Sequence, residues 1–179
     1  LMKENQFPRF FAPFYNNFHQ VKTGLLYKYF GYYPEMGMPL QTFSVYPSGN
    51  NVLAAGSFQA GAPNPFYAYG FLNTSEFTAK FNEKDNLGFR PHQLQVSLDG
   101  AGQPRFTAVW KKRGNEGYYV WINMPDADFN AKWNDLVLGQ HYRIEDYSAY
   151  TVGGQRRHAA IFVKDGMPFY LFSNMTQDQ

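Results

Sequence analysis

The side chains best suited to chemistry in this chain are four histidines (His19, His92, His141 and His158) and two arginines, Arg105 and Arg157, that recur 52 residues apart. His141 and Glu145 are four apart, a spacing that on a helix would set two metal ligands on one face. Their segment reads as a corner entering a strand, where that spacing does not converge, so no metal is expected. Ser97, Asp99 and His92 supply the residue types of a hydrolytic triad. A triad is defined by geometry, and closeness in sequence is no sign of one. Asp99-Gly100-Ala101-Gly102 is glycine-rich but joins strand to strand, whereas a phosphate cradle opens a helix. No serine has lysine three residues later, so the Ser-x-x-Lys nucleophile, whose amine activates the hydroxyl, is missing from this sequence. With no cysteine, disulfides, thiolate zinc sites and cysteine nucleophiles are excluded. No catalytic residue and no cofactor is assigned.

Binding is the better-supplied chemistry. Arg105 and Arg157 admit two readings: a structural guanidinium stacked on a ring or bonded to carbonyls at a unit junction, or a ligand contact made once per unit. Trp110, Trp121, Trp133, Tyr67, Tyr118 and Tyr119 could form a platform for sugars or peptides, although recurrence at equivalent positions points most of them to the core. Tyr67 and Tyr119 each adjoin a second aromatic that can serve the core, so they are the exposed candidates. The binding set is Tyr67, Tyr119, Trp121, Arg105 and Arg157. His158 stands where Phe106 stands one unit earlier and is expected to be structural. Lys111-Lys112-Arg113 reads as a solvated turn.

The elements that position these residues come from a repeat. Gly102–Trp110 returns as Gly154–Phe162, and Phe77-Thr78-Ala79-Lys80-Phe81-Asn82 as Phe129-Asn130-Ala131-Lys132-Trp133-Asn134. A fixed period marks an array of one supersecondary unit. Phe89-Arg90 corresponds to Tyr142-Arg143 at 53, and the extra residue is placed in a loop near Gly88 and Gly139. A weaker copy upstream, at 53, pairs Phe43-Ser44-Val45 with Val96-Ser97-Leu98 and Ala55 with Ala108. Asn73 and Glu76 form a helix-opening signature, Phe77 and Phe81 share one helix face, and Pro125-Asp126 opens the next helix. Each helix leads through a Phe/Tyr-Arg corner to strands near 93–98, 105–111 and 118–123. Residues 106–110 are apolar on both faces, as in a strand covered on both sides.

The string Gly88-Phe89-Arg90-Pro91 followed by Gly102-Gln103-Pro104-Arg105-Phe106-Thr107-Ala108-Val109-Trp110 resembles the bacterial tandem-repeat domain of the polyglycine-hydrolase type. Tyr142-Arg143 and Gly154–Lys164 match it again. The resemblance implies a non-catalytic repeat module that accompanies a secreted, β-lactamase-like serine hydrolase domain. The expected fold is α+β, tandem units of about 52 residues, each one helix and about three short antiparallel strands, in an arched or ring-like array with helices on one side of the sheets. One domain spans 1–179, comprising an N-terminal segment 1–30, a divergent unit 31–72, units 73–124 and 125–175, and the start of another at 176–179. Aromatics at 20% suit rings buried between stacked units. A net charge of +2 lacks the basic bias of a nucleic-acid binder, and no apolar run is long enough to span a membrane. Expected partners are an extracellular protein or glycan surface and a covalently linked hydrolase domain, at an extracellular or cell-surface location. A hydrolase with its site in the array, and a structural spacer or oligomerisation element, are the rival readings.

Overall fold

The computed structural model describes residues 15–22, 40–48, 51–59 and 65–169. Nine strands are described: β1 Tyr15–Lys22, β2 Leu40–Ser48, β3 Asn51–Gln59, β4 Phe66–Leu72, β5 Phe89–Leu98, β6 Pro104–Lys112, β7 Gly117–Pro125, β8 Arg143–Val152 and β9 Gln155–Lys164. Helix α1, Thr74–Asn86, lies between β4 and β5. Helix α2, Asp126–Lys132, continues into a π-helical segment, Trp133–Gly139, between β7 and β8. The strands form three open antiparallel sheets of order β1-β3-β2, β4-β6-β5 and β7-β9-β8.

Each sheet carries two bulges at matching places. The register shifts between Phe18 and Val21 and between Leu40 and Thr42 in the first sheet. It shifts between Tyr69 and Leu72 and between Pro91 and Gln93 in the second, and between Trp121 and Met124 and between Ile144 and Asp146 in the third. Bulges re-aim side chains at fixed points, so they fix the alignment of the units. The cross-strand pairs Phe43–Gly56, Leu94–Ala108 and Tyr147–Ala160 are equivalent. The first unit is therefore a true third sheet, but the 53-residue pairing is displaced. Phe43 corresponds to Leu94 rather than Val96, and Gly56 rather than Ala55 corresponds to Ala108. A one-residue slip exchanges the faces of a strand, and the buried Ala54 and Phe58 follow the bulge register. Residues 31–39, the start of the divergent unit, lie outside the described residues.

The phase of the unit also differs from the sequence reading. The strand near 118–123, read as closing the unit begun at Asn73, is β7 and pairs with β9 of the next sheet. The partner of β6 is β4, which precedes α1. Backbone groups must be paired within a ladder, and the ladder groups strand, helix, strand, strand.

Helix α1 opens on a capping box, with Asn73 Oδ1 accepting from Glu76 N at 2.9 Å and Asn73 N donating to Glu76 Oε2 at 2.8 Å. Phe77 is buried and Phe81 half-buried. In the third unit Phe129 and Leu136 are the buried anchors, while Trp133 is half-buried. The inserted residue is absorbed by the helix itself. A π turn holds one residue more than an α turn, and Trp133–Gly139 is that turn. Gly139 therefore does not close the helix. The left-handed position held by Gly88 (φ 78°) in the second unit falls to His141 (φ 60°). That conformation costs a non-glycine residue roughly 1–2 kcal/mol. Allowing for the entropy that glycine loses on folding, His141→Gly should stabilise the fold by about 0.5–1 kcal/mol. A urea midpoint that stays put or falls would reject this account.

The core is built between units. Phe106, Ala108 and Trp110 on one face of β6 meet Phe77 of α1 and Ala159, Ile161 and Val163 of β9. Val109, on the other face, packs with Phe43, Val45, Ala54 and Phe58. The opposite face of β9, Ala160 and Phe162, packs with Phe129 and Leu136. Both faces of the central strand are thus covered, as its sequence requires. Polar joints link the edge strands of successive units. Gln93 Oε1 accepts from Phe43 N at 2.9 Å, and its equivalent Asp146 accepts from Leu94 N at 2.6 Å. Burial raises the Asp146 carboxyl above its ordinary range despite these amide bonds.

Candidate binding site

The five sequence-derived binding residues fall into three places: Tyr119 with Trp121 in the third unit, Tyr67 in the second, and Arg105 with Arg157 in a cleft between them. Tyr119 and Trp121 project from one face of β7, stacked with centroids 5.0 Å apart and planes 26° apart. Tyr142 joins them at 5.4 Å from Tyr119, its hydroxyl pushed toward higher pKa by burial. Gly117 leaves room for this ring, since a Cβ there would lie 2.8 Å from the Tyr142 hydroxyl. Lysines roof the strip from the side, with Lys132 Nζ 4.7 Å from the Trp121 ring and Lys164 Nζ 5.6 Å from Tyr142.

The second unit builds the same strip. Lys80 lies 4.9 Å from Tyr69, and Lys112 lies 4.9 Å from Phe89. One further lysine is decisive. Lys84, itself buried, sits 3.7 Å over the Tyr67 ring, a cation–π lid. Counting from the helix starts, Leu136 holds the place of Lys84 in the third unit and turns into its core. Tyr67 is therefore half-buried, whereas Tyr119 is 42% exposed.

Arg105 and Arg157 come from consecutive units but line one cleft of about 770 Å³ between them. Its walls include Ser75 at the start of α1, Gln103, Asn123 and Val152. The two arginines are not equivalent in environment. Arg105 donates from Nε to Asp99 at 2.9 Å and from an Nη at 2.8 Å, and its guanidinium lies 5.7 Å from the Phe71 ring. The Asp99 carboxyl also accepts from Gln103 N and Ala101 N, at 2.9 Å each. These amides and Arg105 hold it below its ordinary pKa, and fill the glycine-rich turn from within. Among the described residues Arg157 bonds to neutral oxygens alone, Gln155 Oε1 at 3.0 Å and Asn123 O at 3.4 Å.

These units match a family model, the polyglycine hydrolase-like structural repeat, at residues 63–113 and 115–165, together more than half of the chain. The chain belongs to that family. The two matched segments coincide with the strand–helix–strand–strand grouping of the second and third sheets. No curated protein matches the chain.

The polar groups of this family member that looked most reactive are already engaged. His158 is buried, with Nδ1 2.8 Å from the Tyr147 hydroxyl, Nε2 2.5 Å from Asp126 Oδ1, and its ring stacked 4.5 Å from Phe129. Asp126 is held below its usual range by Arg156 first and His158 second. The hydrogen-bonded Tyr147–His158 pair stands where the preceding unit has Leu94 and Phe106. His92 pairs with Glu145 at 3.2 Å and Asp99 with Arg105, so Ser97, Asp99 and His92 make no triad. Among the described residues no three His, Asp or Glu side chains gather to hold a metal, and no helix is long and apolar enough to cross a membrane. Val152 and Asn123 were missed by the sequence reading. Comparing the two units residue by residue would have found them, because Val152 on the β8–β9 hairpin and Asn123 on β7 stand where Arg105 has its partners Asp99 and Phe71.

Proposed function

We propose that this chain is a non-catalytic binding module of a secreted or surface protein, accessory to a serine hydrolase domain, and that it recognises a glycan. The observation that carries the glycan reading is the open Tyr119 ring, stacked beside Trp121 on β7, with the lysine lid of the equivalent Tyr67 absent. An exposed aromatic held rigid by its neighbours offers a flat apolar face at little entropic cost, and the C–H face of a pyranose is its natural complement. The family supports the accessory role, since its repeats are described by likeness to those of polyglycine hydrolases.

The test is a titration of the chain with soluble neutral oligosaccharides, read by calorimetry and by Trp121 emission. Tyr119→Ala should weaken binding about fivefold to tenfold while the melting temperature stays put. Tyr67→Ala should not change the affinity. Saturable binding that survives the Tyr119 substitution would remove the platform from the site.

A further inference from the structure

We infer that the cleft between the second and third units is a carboxylate subsite, and that its ligand is a uronic acid residue of an acidic glycan. The argument starts from two substitutions at equivalent positions. In the second unit the hairpin closes through Asp99 N to Gln103 O at 2.9 Å. In the third the closing pair is Val152 and Gln155, around Gly153-Gly154. Val152 thus holds the place of Asp99, the counter-ion of Arg105. The Phe71 ring beneath Arg105 is likewise replaced, because Phe71 and Asn123 are the positive-φ bulge residues of β4 and β7.

Arg157 has therefore lost both the carboxylate and the ring that its counterpart keeps. Among the described residues it forms no ion pair, though it is half-buried in a cleft whose lining holds a second guanidinium and no acid. A guanidinium presents a planar fork matched to a carboxylate. Around it stand the Gln103 amide, the Asn123 amide, which already bonds Tyr150 and Thr74 but keeps a second N–H, and the Ser75 hydroxyl, which donates to Asn73 Oδ1 but can still accept; sugar hydroxyls require such donors and acceptors. Pro104 and Val152 are the only wholly apolar side chains in the lining. The start of α1 adds nothing here, because its capping box is closed. The choice of a glycan over another carboxylate rests on the platform reading above, whereas the subsite does not.

The test uses the whole chain and three probes: a short oligouronide, the neutral oligosaccharide of the same length, and an acidic peptide. Val152→Asp rebuilds the pairing that Asp99 provides, and Arg157→Gln removes the charge. Each should weaken oligouronide binding about tenfold or more, and rising salt should weaken it in the wild type. Neutral-sugar binding should respond to Tyr119→Ala but to neither cleft variant. Oligouronide affinity unchanged by both cleft variants overturns the subsite, as does no oligouronide binding at all, even if neutral sugar still binds through Tyr119. Tighter binding of the acidic peptide overturns the glycan and makes the occupant a protein. Neutral sugar failing while the oligouronide binds and both cleft variants lose it sinks the platform alone.

Discussion

Glu145→Gln should destabilise the array by about 3 kcal/mol at neutral pH, among the largest losses from any single polar substitution. Glu145 on β8 reaches back to the preceding unit, where Arg90 of β5 gives it Nη1, and Nη2 at 3.3 Å. His92 lies 3.2 Å away and Arg143 3.4 Å away. The Arg90 and Glu145 side chains are only 10% and 9% exposed, so water cannot replace either partner. The glutamine variant leaves Arg90 buried with Glu116, 2.7 Å from its Nε, as its remaining carboxylate. Burial by itself would raise the Glu145 pKa, but the His92 and Arg90 hydrogen bonds and charges outweigh it and bring the value down to about 2. A carboxylate held low in the fold contributes stability that is complete above its ordinary value of 4.5 and is lost as pH falls through about 2. The gap between wild type and Glu145→Gln should therefore be full at pH near 6 and close progressively below pH about 4.5. Urea unfolding across that range reads it, and a gap below about 1 kcal/mol at neutral pH, or one that does not narrow in acid, would refute the staple. Glu83 is a useful contrast. It is held equally low, at about 2, by its hydrogen bonds to Lys80 and Lys84, but it lies on an exposed helix face. Its substitution should cost less than that of Glu145, because water reaches the exposed carboxylate and screens its pairing with Lys80, although Lys84 is itself buried.

The reach of this staple shows what the sequence could and could not disclose. The period, the helix cap at Asn73 and the two-sided burial of residues 106–110 were all readable, because each rests on local spacing. The π turn was not. Its single extra residue is the same datum whether a loop or a helix absorbs it, and only packing of Phe129 and Leu136 against the sheet favours the helix. The displaced alignment of the first unit has a similar origin. Ala54, Ala55 and Gly56 are adjacent small residues, any of which can be matched to Ala108, whereas the bulges that fix register leave no composition signal. Of the site, the side-chain types were legible and their exposure was not. Tyr67 and Tyr119 each follow one aromatic and precede another two residues on, and what separates them is Lys84 against Leu136, one turn beyond the matching helical aromatics. Arg105 and Arg157 looked like one contact per unit. They converge on one cleft because the hairpin of one unit and the bulge of the next lie side by side.

Trp110→Ala should cost about 3–5 kcal/mol, the range for emptying a fully buried large ring, while Trp110→Phe should cost less than about 1.5 kcal/mol. Trp110 is 0% exposed and packs 5.9 Å from Phe77 and 5.6 Å from Tyr69. The cluster around it joins α1, β6 and the inward face of β9, so the cavity would open at the junction of two units rather than within one. Little nearby can collapse to fill it, since Ala108, Ala159 and Ile161 are already fully enclosed. The phenylalanine variant separates packing from polarity. The indole Nε1 is buried and meets no acceptor among the described residues, so the native ring carries a desolvation cost of about 1–3 kcal/mol that phenylalanine removes. The smaller ring loses apolar contact in exchange, and the two effects oppose each other. The fold already accepts that ring at this place, because the pairs Leu40–Phe58, Pro91–Trp110 and Ile144–Phe162 precede equivalent bulges. Denaturant melts of the two variants decide the matter. A phenylalanine variant as damaged as the alanine one would mean that the indole N–H is bonded after all, and a mild alanine variant would mean that the units do not share a core.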